Sequence, residues 1–503
     1  MIKLIYRIES DYMSKKRMLI VTSVILSVVT ISLGIVKLYQ TYALSNYIGD
    51  ETDTGIDVYI NDDSYASIPA NGSSNVYYML TNTNPGTVKY GVAYQTTSGV
   101  TVKVYDTSED PATGTIEENG KKYIKLRLEN SNSTNKTIEL STVLGYENGG
   151  DLVVPSGVTL VTDTYTPPPT VTEYITKLYT DASKTTVTNN SITYNTAPSV
   201  SLMNDRLGGT TTSLDGGNIR YYGANPNNYI YFNCSDYNNQ SSSTCETWRI
   251  IGVFNGKLKI MRGSQIGKYS WDNKNTSTGA ENNYGKNDWT TARLMKLLNP
   301  SDYYTTDSND NGLGQSLYWN STSGKCYSGQ NNATTNCDFT STGIKNDATR
   351  NLISEETWNI GGWNSNSVYS NQIYGYERGT TVYSGRPTTW TGKIALAYPS
   401  DYGYAADLSQ CTKQLSSYSD STCTSNNWMR TIVTNNGGNY GWLLTHTSGS
   451  SYYAWRVYST GPVNYRYDVS YAGGVAPVLS LASDVAMGPG DGSSSNPYKL
   501  LIN

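Results

Sequence analysis

The 503-residue sequence has little histidine, little phenylalanine and little charge. Its single histidine, His446, cannot build the usual three-ligand zinc site. There are 3 Phe against 45 Tyr, so most aromatic side chains carry a hydroxyl that needs water or a hydrogen-bonding partner. Charged residues make up 16% of the chain and the formal net charge is −4, so nothing indicates the basic surface of a nucleic-acid-binding protein.

Charge is absent altogether from Leu19–Val36, a run long enough to cross a bilayer core of roughly 30 Å. Five basic residues precede this run, and acidic residues follow it from Asp50 onward. The positive-inside rule therefore predicts a cytoplasmic tail at residues 1–17, an uncleaved transmembrane signal anchor at 18–38 and an extracellular remainder. A cleaved signal peptide is the alternative, but the apolar run is long for one and Thr41-Tyr42-Ala43 is a poor cleavage site.

Cysteine is missing from the first 233 residues and then occurs in three close pairs. The six cysteines are Cys234, Cys245, Cys326, Cys337, Cys411 and Cys423. Cysteines outside the cell form disulfides, and pairing of neighbours is the simplest of the possible connectivities. There is no CxxC motif, so we predict neither a metal site nor a cofactor.

The first domain predicted outside the membrane alternates apolar and polar residues. This period of two runs through residues 56–163 without a helical period and predicts an immunoglobulin-like β-sandwich. Within it, Asn119-Gly120 is typical of a hairpin turn. Residues 39–55 are predicted as a short stalk. Pro167-Pro168-Pro169 favours polyproline II, so residues 164–200 are predicted as a linker with a short helix near Glu173–Thr180.

Residues 201–503 show a mixed α+β pattern, which makes the fold class mostly β with a mixed α+β C-terminal domain. The predicted elements are a helix at Ser201–Gly208, a hairpin turning at Asn255-Gly256, a helix at Trp289–Asn299 capped by Asp288, a helix at Asp347–Thr357 and a strand at Lys393–Tyr398.

The stretch Gly441–Leu481 is rich in Tyr, Ser, Asn and Gly between two apolar ends. Tyr offers contact area at low entropic cost and the small polar residues offer adaptable hydrogen bonds, which is the composition of a binding surface. An ordinary hairpin is the alternative, because Tyr is also a good strand former. We predict that Trp442, Leu444, Val475 and Val478 are core. The candidate ligand-binding residues are Tyr452, Tyr453, Trp455, Tyr458, Asn464, Tyr465, Tyr467 and Tyr471.

Seven motifs in the C-terminal part occur in an order that is shared with a known group of domains: WRIIGVFNGKLKIM, W-x-x-x-R-L-x-x-x-L-N, ISEETW, KIALAYPSDYGYA, NNWMRT, GGVAPVLSL and GDGSSSNPYKL. Over about residues 200–503 the chain thereby resembles C-type-lectin-like, formylglycine-generating-enzyme-like domains of Firmicutes surface proteins. The resemblance implies two antiparallel sheets and two helices, with ligand binding at loops and late strands. Some such proteins are varied by diversity-generating retroelements. Residues 474–478 resemble their G-V-R-P-V frame, with Ala476 in place of Arg.

The candidate catalytic residues of the sequence give little support to an enzymatic function. His446 is expected to be a strand residue, and the cysteines do not match the redox and copper context of formylglycine-generating enzymes. Glu355 and Glu356 are expected side by side on a solvated helix rather than as a glycosidase pair. Oxygen ligands for calcium could come from Asp484, Asp491 and Asn496, but these residue types also serve turns. The tryptophans that could stack on sugar rings are Trp363, Trp390, Trp428 and Trp455.

The sequence therefore predicts a non-enzymatic, membrane-anchored extracellular binding protein, an adhesin or receptor, with a protein or glycan ligand and no nucleic-acid partner. A structural scaffold of the cell envelope is the alternative. A carbohydrate-active or sulfatase-modifying-type enzyme comes third.

The predicted topology can be tested with protease on intact cells. We expect the chain beyond residue 39 to be removed and an N-terminal fragment to stay in the membrane, because the bilayer protects only residues 1–38. Blots against tags at the two termini measure this. A C-terminal part that is cut only after lysis would contradict the topology.

Overall fold

A computed structural model of the chain describes residues 39–44, 56–59, 65–83, 85–146, 152–205, 217–273, 284–306, 312–330, 332–434 and 440–502. These form two compact units, one ending at Pro167 and the other beginning at Pro168. The predicted tail and transmembrane segment lie outside the described residues. Within the described ranges, no helix has the length and apolar character needed to span a membrane.

The described part of the first unit consists of strands and their connections. The strands are β1 (Tyr39–Leu44), β2 (Ile56–Tyr59), β3 (Tyr65–Ile68), β4 (Gly72–Asn82), β5 (Val88–Gln95), β6 (Val100–Tyr105), β7 (Thr113–Ile116), β8 (Lys121–Asn130), β9 (Lys136–Tyr146), β10 (Val158–Leu160) and β11 (Thr164–Tyr165). One sheet has the order β1-β4-β8-β6-β11, and the other has the order β10-β5-β9-β2 with β3 on β9 and β7 on β5.

The period of two predicts this packing correctly. Alternate residues of β4 and β8 are buried, β5 is buried except at Lys89 and Gln95, and one cluster joins apolar side chains from both sheets. The buried hydroxyl of Tyr78 on β4 lies 2.6 Å from Thr142 Oγ1 on β9 and links the sheets directly. The first unit is therefore a β-sandwich, and the mostly β fold class is confirmed.

Two local predictions in this unit are wrong. Asn119-Gly120 does not turn a hairpin, because β7 pairs with β5 and β8 pairs with β4 and β6, so the turn carries the chain from one sheet to the other. Asn119 still has the left-handed backbone that the motif favours, with φ of 58°. The predicted stalk is in part a strand, since β1 pairs in parallel with β4.

The second unit combines strands and short helices. Its strands are β12 (Thr185–Asn189), β13 (Ile192–Ala197), β14 (Leu202–Asn204), β15 (Ile219–Tyr221), β16 (Tyr229–Phe232), β17 (Glu246–Phe254), β18 (Lys257–Arg262), β19 (Gly267–Ser270), β20 (Ser323–Gly329), β21 (Ala333–Asp338), β22 (Glu356–Asn359), β23 (Thr389–Gly392), β24 (Ile394–Ala395), β25 (Tyr440–His446), β26 (Tyr453–Tyr458), β27 (Val463–Asp468), β28 (Ala472–Val475), β29 (Val478–Ser480), β30 (Ala486–Met487) and β31 (Leu500–Leu501).

Its helices are α1 (Val171–Asp181), α2 (Arg293–Leu298), α3 (Asp347–Leu352), α4 (Ser370–Glu377), α5 (Pro399–Tyr404), α6 (Ser421–Thr424) and α7 (Arg430–Thr434), with 3₁₀ turns at Pro198–Val200, Ser301–Tyr303 and Leu415–Ser417. A nine-stranded sheet has the order β12-β13-β14-β15-β17-β18-β29-β24 with β16 on β17, and a five-stranded sheet has the order β19-β28-β25-β26-β27.

Residues 168–200 belong to this unit rather than to a linker. The predicted helix exists as α1, starts with a capping box between Thr170 and Glu173, and buries Val171, Ile175 and Tyr179 in the main core. The following strands β12 and β13 extend the nine-stranded sheet. The prolines therefore mark a boundary between units, and the linker prediction is wrong beyond Pro167.

Further along, the structure shortens or replaces predicted helices. In place of a helix after Ser201, the buried strand β14 lies between β13 and β15. Helix α2 begins only at Arg293, because Asp288 accepts a hydrogen bond from Thr290 N in a preceding turn instead of capping the helix. Helix α3 ends at Leu352, so Glu356 lies on β22 and not on a helix. The strand predicted at Lys393–Tyr398 is reduced to β24.

Two local predictions are confirmed. The hairpin of β17 and β18 turns at Asn255 and Gly256, whose φ values of 49° and 74° are both left-handed. The disulfides join neighbouring cysteines: Cys234–Cys245, Cys326–Cys337 and Cys411–Cys423.

A buried network of charges connects the elements of the second unit. The carboxylate of Asp401, at the start of α5, pairs with Arg220 at 2.8 Å and with Lys259 at 2.5 Å. Arg220 also pairs with Asp205. These four side chains are at most 5% exposed. Arg220 lies on β15 and Lys259 on β18, so one carboxylate fixes α5 against two strands of the nine-stranded sheet.

Burial and pairing act in opposite directions on these groups. Burial alone would raise the pKa of Asp401, but Lys259 and Arg220 outweigh it and hold that pKa at about 2. Burial lowers the pKa of Lys259 to about 8 in spite of Asp401. Asp401, Lys259 and Arg220 are therefore all charged at neutral pH. The carboxylate of Asp401 offsets the desolvation of both cations, and the two cations offset its own.

The change Asp401→Asn tests this network. We expect it to lower the free energy of unfolding by about 3–5 kcal/mol, because two buried cations lose their shared counter-charge. Urea unfolding measures the loss. The matched control is Asp181→Asn, whose 60%-exposed side chain pairs with Lys177 on the surface and which should cost less than about 1 kcal/mol. Equal losses in the two variants would contradict the role of Asp401.

Candidate functional site

The stretch Gly441–Leu481 supplies four of the five strands of the five-stranded sheet, β25, β26, β27 and β28. All residues of β25 are buried, as are Ala454–Val457 of β26, while β27 lies at the sheet edge. The predicted core residues are at most 2% exposed: Trp442, Leu444, Val475 and Val478. The two apolar ends of the stretch therefore anchor it, as predicted.

A β-bulge divides the predicted site. Ala454 pairs with Tyr467 and Arg456 pairs with Asn464, so β27 has one residue more than β26 over this span. Tyr465 consequently packs near Trp455, with ring centroids 5.9 Å apart, whereas Tyr467 packs against the guanidinium of Arg456. Trp455 and Arg456 are successive residues of β26 and point to opposite faces. Tyr465 and Tyr467 would share a face in a regular strand, but because of the bulge they lie on opposite faces of the sheet. The predicted residues do not form a single surface.

On one face of the sheet, Trp455 belongs to the core. It is fully buried, and its indole N–H donates to the carbonyl of Trp363 at 3.3 Å. The prediction that Trp455 contacts ligand is therefore wrong. Trp390 and Trp428 are also buried and cannot stack on a sugar. Only Trp363 is partly exposed, and its ring already stacks on Tyr376 at 3.6 Å.

On the other face, aromatic rings surround Arg456. Its guanidinium lies 3.1 Å from the ring centroid of Tyr467, 4.1 Å from that of Tyr458 and 4.5 Å from that of Tyr440. The side chain is only 5% exposed, so these cation–π contacts are desolvated and strong. Tyr471 in turn stacks on Tyr467 at 4.8 Å. Tyr458, Tyr467 and Tyr471 thus stabilise the sheet.

Asn464 has a local structural role. Its side-chain oxygen accepts a hydrogen bond from the backbone N–H of Arg466 at 2.8 Å, inside the bulge. This is the self-bonding geometry that Asn favours in turns and irregular strands. Asn464 therefore stabilises the bulge that separates Tyr465 from Tyr467.

Three tyrosines form what we call the tyrosine patch: Tyr284, Tyr452 and Tyr453. The rings of Tyr284 and Tyr452 are 4.9 Å apart, and those of Tyr452 and Tyr453 are 4.5 Å apart. Tyr284 is 42% exposed, and the other two are half-buried. Tyr284 was not predicted, although it follows the same kind of Asn-rich run, because only the fold brings it to Tyr452.

Two buried side chains hold the loop that carries the patch. The amide of Asn287 donates to the carbonyls of Thr447, Ser450 and Tyr453 at 3.1, 2.7 and 2.9 Å. Arg386 donates to the Asn287 side-chain oxygen at 3.0 Å and to the carbonyl of Ser451 at 3.0 Å. Both side chains are at most 7% exposed. Buried hydrogen bonds therefore fix the backbone of residues 447–453, the loop that carries Tyr452 and Tyr453, before any ligand binds.

His446 ends β25 and is buried, so it is a strand residue. Burial, with a smaller contribution from Arg386, lowers its pKa to about 4. Within the described residues its Nε2 has no hydrogen-bonding partner, and a side chain at Gly362 would come within 3.0 Å of that atom. His446 is thus neutral at physiological pH and enclosed by protein.

The other acidic candidates make local contacts. Glu356 pairs with Lys257 at 2.8 Å, and Glu355 accepts a hydrogen bond from Tyr303 at 2.7 Å. Asp491 accepts from Ser493 N at 2.9 Å within the turn that also contains Asn496. In the part of the chain that the structure describes, no three His, Cys, Asp or Glu side chains come together as a metal site.

Comparisons with protein-family models and with curated proteins found no match. Among solved structures, a crystal structure of PliG from Aeromonas hydrophila, a periplasmic lysozyme inhibitor of g-type lysozyme, is similar at 12% identity. The match covers 22% of this chain and 100% of that one, with a TM-score of 0.13.

Truncating single tyrosines distinguishes those that pack around Arg456 and stabilise the sheet from those that form the tyrosine patch. We expect Tyr467→Ala to lower the free energy of unfolding by about 2 kcal/mol or more, because it removes packing and leaves buried Arg456 less well covered. Tyr452→Ala should cost less than about 1 kcal/mol, since its ring lies in the surface patch. Urea unfolding of both variants measures the contrast. A larger loss for Tyr452→Ala would show that the patch is structural.

Proposed function

We propose that the chain is a membrane-anchored extracellular binding protein, an adhesin or receptor, whose second unit presents the tyrosine patch to a protein or glycan ligand. The observation that carries the proposal is the combination of one exposed and two half-buried aromatic rings with a loop fixed by Asn287 and Arg386.

Preorganisation supports this function physically. Binding costs about 0.5–1.5 kcal/mol for each flexible side chain that becomes ordered. Tyrosine has few rotatable bonds, and the clamped backbone of the loop has little freedom left to lose. A ligand therefore gains aromatic contact area at the patch with a small entropic cost.

The compartment is supported by two independent features. The apolar run Leu19–Val36 follows a basic tail, which favours an anchor with the remainder outside. Three disulfides in the second unit are typical of proteins that fold in an oxidising compartment.

The proposal is tested by binding of purified residues 39–503 to a printed glycan array and a panel of secreted proteins. For each ligand found, the triple variant Tyr284→Ser, Tyr452→Ser, Tyr453→Ser should lose at least about tenfold in affinity, because aromatic anchors dominate binding energy.

The matched control changes two other exposed tyrosines, Tyr65→Ser and Tyr123→Ser, which are 49% and 42% exposed in the first unit. This variant should bind like the unaltered protein. Full affinity in the triple variant, or binding to none of the probes, would contradict the proposal and favour an envelope scaffold.

A further inference from the structure

A pocket of about 440 Å³ lies beside β16, β17 and β18 in the second unit. Tyr229, Arg249, Arg262 and Thr431 are among its lining residues, and none of the tyrosine patch contributes to it. Its volume is within the roughly 300–1,000 Å³ that small-molecule sites occupy. Its chemistry is set by two arginines in different electrostatic situations.

Arg262 is neutralised by the protein. Its guanidinium makes two parallel hydrogen bonds to the carboxylate of Glu246, at 2.9 and 3.0 Å. The remaining nitrogen donates to Ser264 and to the carbonyl of Gln265. Arg262 and Glu246 therefore contribute a closed ion pair, with little capacity left for a ligand.

Arg249 is buried without a counter-charge. It is 6% exposed, and its guanidinium lies 3.7 Å from the ring centroid of Tyr229 and 5.0 Å from that of Trp428. Its hydrogen bonds go to neutral groups, the Asn228 side-chain oxygen and, at 3.4 Å, the carbonyl of Pro226. Across the described ranges, no carboxylate lies within ion-pair distance of it. Burial lowers the pKa of Arg249 to about 10.

A buried charge is expensive unless it is paired, so this arrangement is favourable when an anion enters the pocket. The planar fork of a guanidinium matches a carboxylate with two hydrogen bonds. One unpaired cation balances one negative charge, and the neutral Arg262–Glu246 pair offers nothing to balance a second. The aromatic ring of Tyr229 and the side chain of Ile432 offer contact area to the rest of a ligand.

We propose that this pocket binds the carboxylate group of a small organic acid, with the Arg249 guanidinium as its anchor. The site is separate from the tyrosine patch and does not rest on the function proposed for it.

The experiment is calorimetric titration of the full-length chain, purified in detergent, with acetate and D-glucuronate, with D-glucose and inorganic phosphate as comparison ligands. We expect at least one carboxylate to bind, D-glucose not to bind, and phosphate to bind more weakly than the carboxylate. Arg249→Met should reduce carboxylate affinity at least tenfold. The patch variant Tyr284→Ser, Tyr452→Ser, Tyr453→Ser should keep it, which separates this site from the proposed function.

The matched control is Arg466→Met, which removes an exposed arginine from β27 and should leave carboxylate binding unchanged. If Arg249→Met does not fold, Arg249→Lys decides, because it keeps the charge but loses the fork and should still weaken binding. Absence of binding by both carboxylates, equal binding of D-glucose, tighter binding of phosphate, or full affinity in the Arg249 variants would overturn the proposal.

Discussion

The carboxylate of Asp401 is the contact on which the second unit depends. It draws Arg220 and Lys259 of the nine-stranded sheet onto α5. The next residue, Tyr402, donates its hydroxyl to the carbonyl of Gly461 at 2.8 Å, in the turn between β26 and β27. Asp401 and Tyr402 therefore connect the nine-stranded sheet to the sheet that carries the tyrosine-rich stretch. The buried charges cost desolvation energy. Removing one partner therefore destabilises the fold more than replacing the whole pair with apolar residues would.

The near absence of phenylalanine explains why polar links are so frequent inside this protein. A core built with tyrosine places hydroxyls in the interior, and a buried hydroxyl is favourable when it has a hydrogen-bonding partner. Tyr78 meets this need across the two sheets of the first unit, and Tyr402, Tyr418 and Tyr440 meet it by donating to backbone carbonyls in the second. The same residue type thus packs the interior and forms the surface patch, which is why composition alone could not tell them apart.

Features set by neighbouring residues were predictable from the sequence. The turn at Asn255-Gly256, the three disulfides and the apolar ends of the stretch Gly441–Leu481 all depend on short-range signals. The bulge in β27 and the clamp of Asn287 on the patch loop were not predictable, because their partners lie far away in the chain. The sequence predicts a helix where β14 lies, because the short apolar run Leu202-Met203 cannot distinguish a strand from a helix by its period. Its type is decided by β13 and β15 on either side.

The frame of buried charges around Asp401 shares no residue with the tyrosine patch or with the Arg249 pocket. The most direct test of that frame is the pH dependence of Glu377, which accepts hydrogen bonds from Ser400 beside Asp401. Burial raises its pKa from 4.5 to about 7, so the folded chain keeps a proton that the unfolded chain releases between these values. The stability that this proton contributes is complete below pH 4.5 and is lost as the pH rises to 7.

The measurement is the free energy of unfolding of the unaltered protein minus that of Glu377→Gln, across this range of pH. The buried frame predicts that the difference falls by about 3 kcal/mol from pH 4.5 to pH 7. A difference that stays constant with pH would contradict it.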